Sequence, residues 1–341
     1  MALPASTPNV RCKLAAVEDY MKGCAMTRRI VNHVGATIAG LCLAAGTAGA
    51  QPPAAAVPQV TIPDRPDNVN VPRGPERLIG NIHWVGHSQV GAFLLKTSQG
   101  YILIDSTSTE LWPRVRTNLE KLGVTPRDIK IMLNLHAHQE HMGGFAMMKE
   151  LTGATVILSR ASAEEVATGG RTDFRENGSE QYKPFTADRI IEDGGTVTLG
   201  DVTLTAHLTP GHTKGSTTWT TTVQEGGRSY NVVLIGGMAV PGIDRSPLLD
   251  NPRYPNVVAD YQQAFAKLRS LPCDVWLYPR ATTIRLDEKL KRLAAGATPN
   301  PFVDPVGCQW YIDYYEYEFA DQLAQQLRAR AAMREKQLSG K

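Results

Sequence analysis

The feature that most constrains this chain is a group of histidines that directly follows an apolar run. Residues 129–133 read I-K-I-M-L, and residues 135–141 then read L-H-A-H-Q-E-H. The run predicts a strand, and a strand end holds the backbone rigidly enough to aim the side chains of the next loop at one point. The fold must therefore present four polar side chains together: His136, His138, Glu140 and His141.

The spacing of these residues indicates a metal site. His136 and His138 can point the same way in an extended segment, whereas Glu140 and His141 can turn to the other side. His212, in the turn T-P-G-H-T after another apolar strand, can supply a third imidazole. Three neutral imidazoles with an open fourth position form the arrangement in which zinc lowers the pKa of a bound water. We interpret the remaining histidines as ordinary surface or core residues: His33, His83, His87 and His207.

Composition and charge place the chain among globular proteins. It has 341 residues, of which 42% are hydrophobic, so it can bury a large core. The net charge is +3, and the first fifty residues account for all of it. The neutral remainder gives no electrostatic reason to expect nucleic acid or an anionic membrane as a partner. We expect a small-molecule substrate and a monomer.

The first 76 residues predict export rather than fold. Residues 26–50 have a basic start, an apolar stretch and the small residues A-G-A before Gln51, which is typical of a signal peptide. The alternative is an uncleaved membrane anchor, for which the apolar stretch is short. We interpret 1–25 as a non-native upstream extension and 51–76 as an extended leader. The expected location is the periplasm of a bacterium.

Cysteine usage agrees with export. Three of the five cysteines precede the predicted cleavage site, which leaves Cys273 and Cys308 as one pair in a compartment that permits disulfides. A bridge between them is the natural prediction. Two free buried thiols are the alternative, and metal ligation is a weaker one, because neither cysteine has a second ligand at suitable spacing.

Strands and helices alternate without a break in composition over residues 77–335, which predicts one domain. Mixed strands and helices of this kind favour two sheets packed face to face with helices outside. Strands are predicted at 82–85, 91–95, 101–105, 129–133, 155–158, 196–199, 202–208, 216–223, 231–235 and 274–278. Helices are predicted at 111–122, 144–151, 161–168, 258–268 and 310–334.

Over residues 77–330 the chain resembles the metallo-β-lactamase superfamily, and within it the subclass B3 β-lactamases. The resemblance rests on the motifs G-N-I-H-W-V-G, Q-G-Y-I-L-I-D-S, H-A-H-Q-E-H, T-P-G-H-T-K-G-S-T-T-W, V-P-G, C-D-V-W-L-Y-P and N-P-F-V-D-P-V-G-C. It implies an αβ/βα sandwich with the metals at one edge between the sheets. It also implies a first zinc on His136, His138 and His212, and it supports a bridge between Cys273 and Cys308.

The chain departs from the family at the second zinc. Glu140 replaces the Asp of the family, and its carboxylate sits one methylene farther out. Arg280 replaces the last zinc-binding His, and a guanidinium has no lone pair for a metal. Only Glu140 and His141 remain for a second ion, so we expect one tightly bound zinc. We expect Arg280 to pair with Glu140 or to hold an anionic substrate group, the alternative being that it faces solvent.

A third departure concerns the substrate. Gly237 and Ala239 stand where the subclass usually has hydroxyl residues that help to bind the β-lactam carboxylate. The resemblance therefore implies a zinc hydrolase that opens β-lactams by metal-bound hydroxide, with Glu140 orienting the water and carrying protons and Arg280 anchoring the substrate carboxylate. One alternative is a hydrolase of another ester, lactone or thioester. The other is a metal-binding protein with little catalysis.

Overall fold

The computed structural model describes residues 72–175, 181–241 and 246–340. Its strands are β1 Glu76–Ile79, β2 Ile82–Trp84, β3 Phe93–Thr97, β4 Gly100–Ile104, β5 Ile129–Leu133, β6 Thr155–Ser159, β7 Arg189–Ile191, β8 Thr196–Leu199, β9 Val202–Leu208, β10 Thr217–Glu225, β11 Arg228–Leu234 and β12 Val275–Leu277. Its α-helices are α1 Trp112–Lys121, α2 Gln139–Met142, α3 Phe145–Thr152, α4 Arg160–Ala167, α5 Val257–Ser270, α6 Leu286–Ala294 and α7 Pro305–Ser339, and a 3₁₀ turn spans Pro126–Asp128.

The first sheet has seven strands in the order β1 to β7. Its first four strands are antiparallel neighbours, and β4 to β7 run parallel. On β5, Ile131 and Leu133 belong to one apolar cluster and Met132 to another. Both faces of this strand are buried, which explains why its sequence is an almost unbroken apolar run.

The second sheet has five strands in the order β12, β11, β10, β9, β8. Apolar residues of both sheets share one core cluster, in which Trp84 and Phe93 of the first sheet join Trp219 and Leu234 of the second. The helices α5 and α7 add Tyr261 and other side chains to the same cluster. The second cluster joins the first sheet to α1 and α3. This arrangement confirms the predicted αβ/βα sandwich.

Every predicted strand and helix has a counterpart in the structure, but four short elements were missed. The strands β1 and β7 and the helices α2 and α6 were not predicted. β1 begins at Glu76, within the predicted leader. β7 has only three residues, too few to show an alternation of apolar and polar positions. The longest shift is at α7, which begins at Pro305 rather than 310, because the Asp304 side chain accepts the Gly307 N–H and caps the helix.

A disulfide joins Cys273 to Cys308 and so ties α7 to the segment before β12, as predicted. The predicted extension 1–25, signal peptide 26–50 and all but the end of the leader 51–76 lie outside the described residues, and the domain limits 77–335 stay a prediction. Among the described helices, none combines the length and the apolar character needed to span a bilayer.

Candidate metal centre

The end of β5 is fixed by contacts with the second sheet. The indole N–H of Trp219 donates to the Asn134 carbonyl at 2.9 Å. The Thr217 N–H donates to the Leu135 carbonyl at 2.9 Å. Both donors lie on or at the start of β10, so the segment that leads into His136 is held between the two sheets. This is the rigid strand end that the sequence predicted.

The chain changes conformation at His138, and this separates the polar side chains into two sets. His138 is extended, and its carbonyl accepts the N–H groups of His141 and Met142 at the start of α2. His136 and His138 therefore project from extended backbone, whereas Glu140 and His141 project from a helical turn.

His212 comes from the loop after β9 and is oriented by a backbone carbonyl. Its Nδ1 lies 2.6 Å from the Ala239 carbonyl oxygen, which also accepts the Tyr261 hydroxyl at 2.9 Å. A carbonyl can only accept, so Nδ1 carries the proton and Nε2 keeps its lone pair. Gly211 has a φ of 142° and packs on the Tyr261 ring, where a Cβ would come within 2.7 Å of ring carbons. The turn thus requires glycine next to the ligand.

The three predicted histidines meet at one point. The ring centroids are separated by 4.8 Å for His136 and His138, by 4.6 Å for His136 and His212, and by 4.8 Å for His138 and His212. One nitrogen of each ring lies within 4.8 Å of the others. All three rings are buried, and we call them the three-histidine group.

The protonation states of this group suit a metal cation. Burial, reinforced by neighbouring positive charge, holds the pKa values of His136 and His212 well below the usual range. Both imidazoles are therefore neutral near pH 7, and neither ring nitrogen of His136 has a hydrogen-bond partner among the described residues. Such unpaired buried nitrogens are costly unless a ligand takes them up. The donor set fits zinc, which favours three neutral imidazoles.

A second set of donors shares His136 with the first. The ligand atoms of His136, Glu140 and His141 also lie within 4.8 Å of one another. We call Glu140 and His141 the glutamate side of the centre. His141 Nδ1 lies 2.9 Å from Oδ2 of the buried Asp105, so its proton sits on Nδ1. Its Nε2, 3.9 Å from Oε1 of Glu140, has no hydrogen-bond partner in the described part of the chain.

Arg280 closes the glutamate side. It follows β12 and forms an isolated backbone bridge with Val90, and its Nη2 makes an ion pair with Oε1 of Glu140. Its side chain is 25% exposed, so it is only partly open to solvent. Burial raises the pKa of Glu140, but His141 and Arg280 outweigh it and bring the pKa well below the usual range. Glu140 is therefore ionised and paired, which is the first of the two arrangements that we expected for Arg280.

Two buried carboxylates orient the histidines, and the sequence reading gave a role to neither. Asp105 directly follows β4 and has a φ of 62°, and its Oδ1 accepts the Leu135 N–H at 2.9 Å. Asp173 Oδ2 lies 3.2 Å from Nε2 of His138, which leaves Nδ1 of that ring for a metal. Asp105 could have been found as a charged residue ending an apolar strand. Asp173 lies in the loop G-G-R-T-D-F, which carries no such signal.

Beside His212, neither Gly237 nor Ala239 carries a side-chain hydroxyl, as the sequence indicated. Gly237 lies against the His212 ring so closely that a Cβ built on it would be 2.0 Å from Cδ2. A serine at this position would therefore displace the ligand. Ala239 contributes its carbonyl to His212 but no polar side chain.

The other histidines stay outside both groups, as interpreted. His207 lies on β9, with Nε2 2.8 Å from the Thr220 hydroxyl oxygen, and burial lowers the pKa values of His83 and His207. The backbone carbonyl of His87 accepts the Trp84 indole N–H at 3.1 Å. His33 lies outside the described residues.

Comparison with known proteins agrees with this geometry. Residues 85–279 match the family described as the metallo-beta-lactamase superfamily. The structure is similar to native FEZ-1 metallo-beta-lactamase from Legionella gormanii, with 36% identity and a TM-score of 0.72 over 75% of this chain and 97% of that one. It is also similar to BJP-1, a subclass B3 metallo-beta-lactamase of Bradyrhizobium japonicum, with 35% identity and a TM-score of 0.70 over 76% of this chain and 97% of that one.

A curated relative is more distant. A probable metallo-hydrolase of Burkholderia pseudomallei is 26% identical over 94 residues, which make up 28% of this chain and 32% of that protein. This chain therefore matches about a third of the length of that relative.

Proposed function

Because the chain belongs to the metallo-beta-lactamase superfamily, we propose that it is a zinc-dependent hydrolase that opens the amide bond of β-lactam antibiotics. The observation that carries this proposal is the three-histidine group, which is buried and brings one nitrogen of each ring within 4.8 Å of the others. Similarity to two β-lactamases at 35–36% identity over three quarters of the chain supports the substrate class.

His136, His138 and His212 would hold the zinc ion. Zinc bound by three imidazoles supplies an activated water and polarises a carbonyl group. Ala239 and Tyr261 fix the ring of His212, and Asp173 fixes that of His138, so that the lone pairs already point inward. Preorganisation of this kind lowers the cost of assembling the site.

Glu140 would orient the attacking water and accept its proton. Its carboxylate is ionised, lies at the edge of the three-histidine group and is 27% exposed, so it can reach a substrate. The ion pair with Arg280 restricts the rotation of the carboxylate. This restriction offsets the extra methylene by which Glu is more flexible than Asp.

We further propose that only one zinc binds tightly. A second ion would have Glu140 and His141 as its own ligands, and it would lie beside the fixed positive charge of Arg280. Two cations that share one carboxylate repel each other, so Arg280 takes the place of the second metal as the cation of the glutamate side.

The test is zinc stoichiometry by elemental analysis together with a panel of penicillin, cephalosporin and carbapenem, on wild type and Arg280→His. We expect about one zinc per wild-type chain, measurable lactam turnover, and a second zinc with faster turnover in Arg280→His. Two tightly bound ions in the wild type contradict the role of Arg280. No turnover of any lactam by the zinc-loaded wild type contradicts the substrate class.

The rim at Gly237 favours a second candidate, the hydrolysis of another ester, lactone or thioester. No hydroxyl group can be placed on Gly237 without moving His212. The pocket therefore lacks a donor at a place where the subclass usually has one. Hydrolysis of nitrophenyl esters or thioesters with all lactams left intact selects this candidate.

We also propose export to the periplasm as a monomer. The signal-like pattern of residues 26–50 and the disulfide between Cys273 and Cys308 support export. N-terminal sequencing of the protein purified from the periplasm should begin at Gln51. Light scattering on the same sample measures the oligomeric state.

A further inference from the structure

Arg175 is a second arginine at the metal centre, and it lies on the side of the three-histidine group formed by the loop after α4. Its Nη2 lies 2.5 Å from Nε2 and 2.8 Å from Nδ1 of His138, and its side chain is only 13% exposed. Neither the sequence motifs nor the proposed roles of Glu140 and Arg280 account for it.

The charge of Arg175 is not balanced in the way that the charge of Arg280 is. Arg280 makes a direct ion pair with Glu140. The acidic group nearest to Arg175 is Asp173, whose Oδ1 accepts the Arg175 backbone N–H at 2.8 Å and lies 3.9 Å from the side-chain Nε. Oδ2 of Asp173 is directed at His138. Both oxygens are thus already engaged.

Among the described residues, the only carboxylate recorded against the Arg175 side chain is that of Asp173, at 3.9 Å. The Nε of Arg175 is buried and has no hydrogen-bond partner among the described residues. Its Nη2 faces the imidazole of His138, which is neutral when it acts as a metal ligand. A cation held by His138 takes up the Nδ1 lone pair, which removes this acceptor as well. A buried guanidinium whose nearest carboxylate is 3.9 Å away and already engaged elsewhere is costly, so its place in the structure indicates a further anionic ligand.

The positive field of Arg175 extends over the whole group. After burial, it is the largest influence that lowers the pKa of His212, and it also lowers the pKa of His136. Gly237 and Ala239, which contact His212, offer no charged or hydroxyl side chain. Arg175 is thus the group best placed to bind a negative charge next to the metal.

We propose that Arg175 binds a carboxylate of the substrate beside the three-histidine group, and so makes the enzyme specific for anionic substrates. The positive charge of Arg175 matches a monoanion, and its planar guanidinium matches the two oxygens of a carboxylate. This proposal rests on the proposed function only in naming the ligand a substrate. It reassigns to Arg175 the anchoring role that the sequence suggested for Arg280.

The experiment compares two probes of the same shape, phenylacetate and its neutral amide, phenylacetamide. Their dissociation constants are measured by calorimetry on the zinc-loaded full chain, for wild type, Arg175→Gln and Arg175→Lys. Arg171→Gln is the control, because Arg171 is an exposed residue of the same loop. Circular dichroism establishes that each variant is folded.

We expect Arg175→Gln to weaken phenylacetate binding about tenfold or more, because a charge-assisted hydrogen bond is lost. The dissociation constant of phenylacetamide should change by no more than about twofold. Arg175→Lys should keep part of the preference for phenylacetate over phenylacetamide, because lysine keeps the positive charge but lacks the paired N–H groups of the guanidinium. Arg171→Gln should behave as wild type. In a separate titration with a chromophoric chelator, Arg175→Gln should bind zinc more tightly than wild type, since a positive charge has been removed.

Two results overturn the proposal. One is equal affinity of the wild type for the two probes, and the other is an equal loss of affinity for both probes in Arg175→Gln. The measurement involves no turnover. If no lactam or ester is hydrolysed while the probes are still discriminated, the proposed function fails and the role of Arg175 stands. If lactams are hydrolysed while the Arg175 variants bind phenylacetate as the wild type does, the role of Arg175 fails and the proposed function stands.

Discussion

The three-histidine group and the glutamate side share His136 but differ in how their charges are arranged. In the first, buried rings are turned by acceptors behind them, the Ala239 carbonyl and Asp173. In the second, the carboxylate of Glu140 is bound to the guanidinium of Arg280. The rings of the first group are thus held by acceptors, whereas the carboxylate of the glutamate side is already in an ion pair with a cation.

From this difference we propose that one half of such a centre can change while the other is kept. The rings of the first group are positioned by the end of β5 and the loop after β9, neither of which involves Arg280. Replacement of a ligand on the glutamate side therefore need not disturb the three histidines. The predictions below test this separation from the largest expected effect to the smallest.

The largest effect should follow the loss of one ring of the three-histidine group. We expect His212→Ala to lower zinc affinity on the order of a thousandfold, because each ligand contributes several kcal/mol to binding. Hydrolysis should be lost with the metal. Zinc content after dialysis measures the effect, and His207→Ala, on the neighbouring strand but outside both groups, serves as the control. Retention of zinc by His212→Ala would contradict the assignment of the group.

The next effect concerns catalysis without metal loss. Glu140→Gln keeps the size of the side chain but removes the base, so turnover should fall by about 10²–10⁴ while the zinc content stays unchanged. Stopped assays with the best substrate of the panel measure it, with the exposed Glu164→Gln as the control. If the variant differs from the wild type only in stability, the chain is a metal-binding protein with little catalysis.

The carboxylates behind the rings offer a matched pair. Asp173→Asn should weaken zinc binding about 10–100-fold, because Asp173 orients His138 in the three-histidine group. Asp105→Asn should leave zinc affinity within a few-fold and instead lower the free energy of unfolding by about 1–3 kcal/mol, since its buried bonds to His141 and Leu135 weaken. Asn tolerates the positive φ at this position. Equal losses of zinc affinity in both variants would show that the two halves are not separate.

The sequence predicted most of this fold because its strands are long apolar runs with clear boundaries. The strand 129–133 and the histidines after it were placed correctly, since a buried strand and its end leave a strong local signal. The αβ/βα sandwich and the bridge between Cys273 and Cys308 followed from motifs spread over the chain.

What the sequence could not show depends on contacts between distant segments. Arg175 and His138 are 37 positions apart, and nothing local connects them. The strand β7 has only three residues and is specified by its pairing with β6. The clash that excludes a side chain at Gly237 depends on where the His212 ring lies. Such facts are set by tertiary structure, which periodicity does not record.

The smallest effect concerns the surroundings of Asp173. Glu165 on α4 has one carboxylate oxygen buried without a hydrogen bond among the described residues, and burial together with the negative charge of Asp173 raises its pKa to about 7. A carboxyl with a raised pKa binds more protons in the folded state than in the unfolded state. Ionisation of Glu165 therefore reduces the free energy of unfolding as the pH rises from 4.5, the ordinary pKa of a glutamic acid, to about 7.

Glu165→Gln should consequently raise the free energy of unfolding by about 1 kcal/mol at pH 8 and change it little at pH 5. Lys214 and Arg253 lower the same pKa and so keep the effect modest. Urea unfolding at the two pH values measures it, and Glu164→Gln, the adjacent exposed residue, should show no pH-dependent difference. A gain of the same size at both pH values would mean that the amide packs better than the acid, and that Asp173 and His138 do not experience a titrating neighbour.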